Sequence, residues 1–206
     1  MSLAVTACLV PFASQAQLKV TEVQSSENGS SKPDWFELSN LGGSSVNITG
    51  YKMDDNSHNP ANAVALAGIT IIAPGESVLF FESSGSTPLT VQGFRDWWGL
   101  GSSVQVGYYL GDGAGVSLSS SGDEVNVYDS GNALVNGVSF GSATKGVTFG
   151  WNPNTSTFGA LSQSGVYGAH AAPQDGDIGS PGVVPEPSLF AFLALGGASL
   201  LRFRRR

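Results

Sequence analysis

Residues 17–183 hold no long helical period; short runs of β-branched and aromatic residues recur instead, separated by clusters of Gly, Asn, Ser and Asp. Two of the runs, Glu124-Val125-Asn126-Val127-Tyr128 and Leu134-Val135-Asn136-Gly137-Val138, place apolar residues at period two. That spacing fits a strand with one buried face, because successive strand side chains point to opposite sides. Asp129-Ser130-Gly131-Asn132 supplies turn residues between them, so the pair predicts a hairpin. Further strands are expected at 18–23, 35–39, 45–48, 51–53, 69–72, 77–81, 115–118 and 146–150. Many short strands at close spacing predict an all-β sandwich.

Composition bounds what such a body does. The chain has 206 residues, 41% hydrophobic, enough for one domain that buries about 70% of its unfolded surface. A single cysteine, Cys8, excludes a disulfide scaffold and a paired-cysteine zinc site. A formal net charge of −7 argues against nucleic-acid binding, which needs a basic face to displace counterions. Of the 9 basic residues, Arg202, Arg204, Arg205 and Arg206 stand together at the C-terminus, so the rest of the chain is still more acidic.

Both ends read as addresses. Residues 1–16 contain an apolar run followed by Ser14-Gln15-Ala16, the layout of a secretory signal peptide cut between Ala16 and Gln17. The basic residue that precedes the apolar run in that pattern is missing, as expected for a true start upstream of Met1. Val5-Thr6-Ala7-Cys8 also resembles a bacterial lipobox, which would need a longer upstream apolar segment. Residues 184–206 comprise Val184-Pro185-Glu186-Pro187-Ser188, an apolar stretch at 189–201 and the Arg cluster at 202–206. As a helix the stretch spans about 20 Å, short of the roughly 30 Å hydrocarbon core unless flanking residues and snorkelling Arg side chains extend it. The Arg cluster would hold that end on the cytoplasmic side of a single transmembrane helix. Motif, helix and cluster together resemble the PEP-CTERM sorting signal of Gram-negative bacteria. The resemblance implies processing by an exosortase, a membrane cysteine protease, and delivery through an inner-membrane intermediate to a cell surface or extracellular matrix. It also implies association with exopolysaccharide or biofilm. An ordinary C-terminal membrane anchor is the alternative.

One segment departs from the β pattern. In 91–100, Phe94, Trp97, Trp98 and Leu100 fall along one side of a helical turn that Gly99 ends. The sequence favours a short helix capping an open end of the sandwich. The competing reading is an exposed aromatic patch for carbohydrate, using Trp97, Trp98, Tyr108 and Tyr109. Residues 101–114 read as a loop. Candidate chemistry is sparse. His58 and His170 sit in no catalytic motif, and Glu22 with Glu37 form a carboxylate pair whose separation a sequence does not give. The expectation is a protein that is not an enzyme and needs no cofactor. Calcium is the one ligand with some support, from loop residues Asp54, Asp55 and Asp112, against the plainer reading that Asp residues form turns.

The body carries a resemblance of its own. Val20-Thr21-Glu22-Val23, Asp34-Trp35-Phe36-Glu37-Leu38-Ser39-Asn40 and Gly50-Tyr51-Lys52-Met53-Asp54-Asp55 resemble the first strands of the lamin-tail domain. Ala73-Pro74-Gly75-Glu76 is similar to its proline-glycine turn, Gly122-Asp123-Glu124-Val125 to its late hairpin, and Gly179-Ser180-Pro181-Gly182 to its ending. The resemblance implies an immunoglobulin-like β-sandwich used as an extracellular accessory module, with Glu22 and Glu37 on neighbouring strands. The residues between Phe81 and Asp129 exceed what the family needs.

Overall fold

The structure is a computed structural model and describes residues 17–83, 89–111 and 116–185. Its framework is two packed sheets, mostly β with one short helix. The larger contains β1 (Leu18–Gln24), β2 (Trp35–Asn40), β7 (Ser77–Ser83), β8 (Val106–Leu110), β11 (Phe149–Asn152) and β12 (Thr157–Leu161), in the order β12-β11-β1-β2-β7-β8. The smaller contains β4 (Lys52–Asp54), β5 (Val64–Ala65), β9 (Asp123–Tyr128) and β10 (Leu134–Phe140), ordered β10-β9-β4-β5. Short pairs of β3 (Val46–Asn47) with β6 (Ile71–Ile72), and of β13 (His170–Ala171) with β14 (Ile178–Gly179), complete the element set. Val20, Val23, Phe36, Leu38, Val78 and Phe80 of the large sheet bury against Met53, Val125 and Val127 of the small one. The arrangement agrees with an immunoglobulin-like sandwich.

The expected hairpin forms: β9 and β10 pair antiparallel, and Asp129 Oδ1 accepts from the N–H groups of Gly131 and Ala133 at 2.8 and 2.9 Å. A side-chain acceptor placed this way closes the turn without a second strand's help. No strand forms over 116–118, the described part of the expected run at 115–118.

Two expectations are corrected. The 101–114 region is not all loop, because β8 joins the large sheet parallel to β7, with Leu79 opposite Val106 and Phe81 opposite Tyr108. Parallel neighbours require a crossover. Here it includes α1 (Val91–Trp98), and the extra length after Phe81 is thereby accounted for. Gly107 makes the close pairing feasible, since a Cβ there would collide with the carbonyl of Ala67 and the ring of Phe80.

The helix, in turn, does not cap an open end. Thr90 Oγ1 accepts from Gly93 N at 3.0 Å to start it, and Gly99 ends it at φ 68, as the sequence suggested. Its Phe94, Trp97 and Trp98 pack against Trp35, Leu79, Phe81 and Val106. Those residues alternate along β2 and β7 with Phe36, Val78 and Phe80, which face the main core. The helix therefore covers the outer face of the large sheet and builds a second core there. Edge-on ring contacts knit it: Trp35 lies 5.8 Å from Phe94 at 85° and 5.4 Å from Trp98 at 78°.

Among the described residues no helix is long and apolar enough to cross a membrane. Residues 1–16, Asp112 and everything after Pro185, including Glu186, Pro187, Ser188, the stretch 189–201 and the Arg cluster, lie outside the described residues.

Candidate functional site

The outer face of the large sheet continues past the aromatic cluster into a buried polar layer. A register shift between Val20 and Glu22 on β1 sets Glu22 directly opposite Glu37 of β2, and Gln24 opposite Trp35. Bulges of this kind re-aim side chains without ending the strand. The pair that the sequence could only nominate is thus brought together, yet each residue is 1% exposed.

The cover is the C-terminal segment 169–183, here called the strap. Glu22 Oε1 accepts from Ser180 N at 2.7 Å and from Thr148 Oγ1 at 2.6 Å, while its Oε2 accepts from Ser180 Oγ at 3.2 Å. Glu37 Oε2 accepts from Gly182 N at 2.7 Å, and its Oε1 from Thr21 Oγ1 at 2.6 Å. Further along, Trp35 Nε1 donates to Gln24 Oε1 at 2.7 Å, and Gln24 Nε2 donates to Asp177 Oδ2 at 3.0 Å. Trp97 Nε1 donates to Asp175 Oδ1 at 2.9 Å, so helix, sheet and strap share one network. Gly179 passes so close to Glu22, Thr148 and Trp98 that any side chain there would collide with them.

Burial dominates the electrostatics. Loss of water raises Glu22 to about 7, against hydrogen bonds from Thr148 and Ser180 that favour its charged form. Glu37 rises to about 8, first through burial and then through the neighbouring Glu22 charge. A second acid pair lies in the loop between β1 and β2, where burial and the Asp34 charge raise Glu27 to about 9, and burial and the Glu82 charge raise Asp34 to about 7. Tyr109, fully buried, is pushed up well beyond its ordinary range by burial and then by Asp34, and its hydroxyl has no hydrogen-bond partner among the described residues. Such pairs hold protons near neutrality. Neither Glu22 nor Glu37 has surface with which to meet a substrate; their oxygens serve the strap as acceptors.

The remaining nominated residues fall elsewhere. Trp97, Trp98 and Tyr109 are 0% exposed and Tyr108 36%, so the sugar-stacking patch of the competing reading does not form there: the indole faces are spent on the second core. Asp54 and Asp55 hold their own turn, Asp54 Oδ2 accepting from Ser57 Oγ and Asn59 N, both at 2.8 Å, and Asp55 Oδ1 from Ser57 N at 3.1 Å. Among the described residues no group of three His, Cys, Asp or Glu side chains is arranged to hold a metal. His58 is exposed, with Nε2 2.5 Å from Glu124 Oε2. His170 lies on β13 with Nε2 3.3 Å from the Trp98 carbonyl. Gln17 is exposed, and its carbonyl accepts from Leu41 N at 2.8 Å. Val184 and Pro185 are half-buried at the end of the strap.

The family model described as Lamin Tail Domain matches residues 11–142. The chain belongs to this family. Lamin-tail domains are β-sandwiches not known for catalysis, in keeping with a carboxylate pair that is closed to solvent. Among curated proteins none matches the chain. The lamin-tail match stops before β11, whereas β11 pairs with β1 through Glu22–Gly150 and Val23–Phe149, and the strap closes over both. Residues 143–185 are therefore part of the same folded body.

Proposed function

We propose that this lamin-tail protein is an exported, non-enzymatic component of a Gram-negative cell surface or extracellular matrix. In this reading its C-terminal residues are a PEP-CTERM signal cut by an exosortase, and exopolysaccharide is the matrix it joins. One observation carries the reading: among the described residues the last hydrogen bond from the strap to the large sheet, Gly182 N to Glu37 Oε2, falls just before Val184-Pro185-Glu186-Pro187. Cleavage near the motif would remove none of the strap's hydrogen bonds, so a mature body survives the loss of the tail. Pro185 and Pro187 oppose helix formation and favour the extended chain that a protease binds. At the other end, a cut before Gln17 would leave β1 whole.

The Arg cluster orients the apolar helix in the bilayer under this proposal. Replacing Arg202, Arg204, Arg205 and Arg206 together with Gln is expected to leave uncut precursor in the inner membrane, seen as loss of the processed form in fractionated cells. Normal surface delivery of that variant would count against the sorting role.

A further inference from the structure

We propose that a groove of about 270 Å³ beside the strap binds a single ring of a neutral sugar. Its walls include Trp151, Asn152, Gln163, Val166 and Tyr167, and its polar floor includes Thr21, Ser162 and Ser180. Three of the large apolar side chains exposed on the molecule, Leu161 at 42%, Val166 at 44% and Tyr167 at 36%, all line it. These three stand beside hydroxyl and amide groups in one cleft, the mixed surface that a sugar ring with its C–H faces and O–H rim requires.

The polarity of the floor selects the ligand further. Thr21 Oγ1 donates to Glu37, and Ser180 Oγ donates to Glu22. With its proton committed inward, Ser180 Oγ keeps a lone pair for an incoming O–H, while Gln163 offers a donor and an acceptor and Asn152, whose Oδ1 already accepts from Asn154 N, offers its N–H groups; buried Thr21 closes the floor behind them. Among the described residues no Lys or Arg lines the groove, although Lys19 Nζ stands 5.7 Å from the centroid of the Trp151 ring; the chain's net charge of −7 disfavours uronates and phosphates.

The rim is built at a conformational cost. Tyr167 stands in the left-handed region at φ 48, between Gly165 at φ 83 and Gly168 at φ 85, where a bulky residue is rare. Its hydroxyl accepts from Asn154 Nδ2 at 2.6 Å and lies 3.4 Å from Asn152 Oδ1, which fixes the ring at the mouth of the groove. Glycine would suit this backbone better, so the tyrosine stands against local preference, as strained residues at binding sites often do.

This inference deepens the matrix reading by naming the sugar class, and it is separable from sorting. The test is titration of the full chain in detergent with cellobiose, maltose and oligogalacturonate, followed by tryptophan fluorescence and checked by calorimetry. The neutral sugars are expected to bind and the uronate not. Tyr167→Gly should weaken binding about tenfold or more while leaving the thermal midpoint unchanged or raised, because the strained residue is relieved. Absence of neutral-sugar binding, equal binding of the uronate, or full binding by Tyr167→Gly would overturn the proposal. Processing and surface delivery of Tyr167→Gly in the host, read in parallel, should be normal; a failure there would strike the sorting model instead.

Discussion

Stability is expected to be greatest in mild acid and to fall from about pH 5 to about pH 9. Glu22 and Glu37 ordinarily titrate at 4.5 but lie at about 7 and 8 in the fold, and Glu27 and Asp34 at about 9 and 7. The folded state therefore binds more protons than the unfolded chain above the ordinary carboxylate range. The stabilisation is fully present below that range and is lost as the pH rises through the folded values. One carboxyl raised from 4.5 to about 7 alone corresponds to about 3 kcal/mol at alkaline pH. Urea midpoints across this window should drop accordingly. Glu37→Gln keeps an acceptor for Gly182 N and removes one titration, so it should be more stable than the parent at high pH and show a shallower slope. A midpoint that is flat or rises with pH would contradict the protonated carboxylate layer.

The second large effect sits in the aromatic cluster on the outer face. Trp35→Ala should cost about 3–5 kcal/mol, the range for deleting a large buried ring. Substitution by Phe separates packing from hydrogen bonding. Trp35→Phe leaves the buried Gln24 Oε1 without its donor and should add a penalty of about 1–3 kcal/mol to the lost volume. Among the described residues Trp98 Nε1 has no hydrogen-bond partner, so Trp98→Phe should show the cost of lost volume alone, without the added penalty. Denaturant melts of the two Phe variants measure the contrast; equal losses would show that the Trp35–Gln24–Asp177 chain contributes nothing beyond packing.

Much of the sandwich was legible because alternation is a local signal. β1, β2, β7, β9 and β10 all fall where period-two or apolar runs predicted them. β8 holds strand-favouring Val106, Tyr108 and Tyr109, but Gly107 and the Gly- and Ser-rich flanks mask that signal, and pairing with β7 through the helix crossover sets the strand. β5, β12, β13 and β14 are likewise short pieces held by their neighbours. The buried role of Trp97 and Trp98 did leave a trace in the sequence. Val78-Leu79-Phe80-Phe81 and Trp35-Phe36 are continuous apolar runs, and strands of that kind are covered on both faces. Glu22 and Glu37, by contrast, occupy positions that alternation assigns to solvent. Only the strap, arriving from more than a hundred residues away in sequence, turns that face into an interior. The groove was equally invisible, since it is assembled from β1, β11, β12, the loop 162–168 and the strap at once.

The central claim concerns where the mature chain resides, and intact mass with cell fractionation from the native host, with and without the exosortase, tests it most directly. The account predicts a form that begins near Gln17, ends between Val183 and Pro187, lies outside the outer membrane and is lost when the exosortase is absent. A full-length chain left in the inner membrane, identical in both strains, would contradict it.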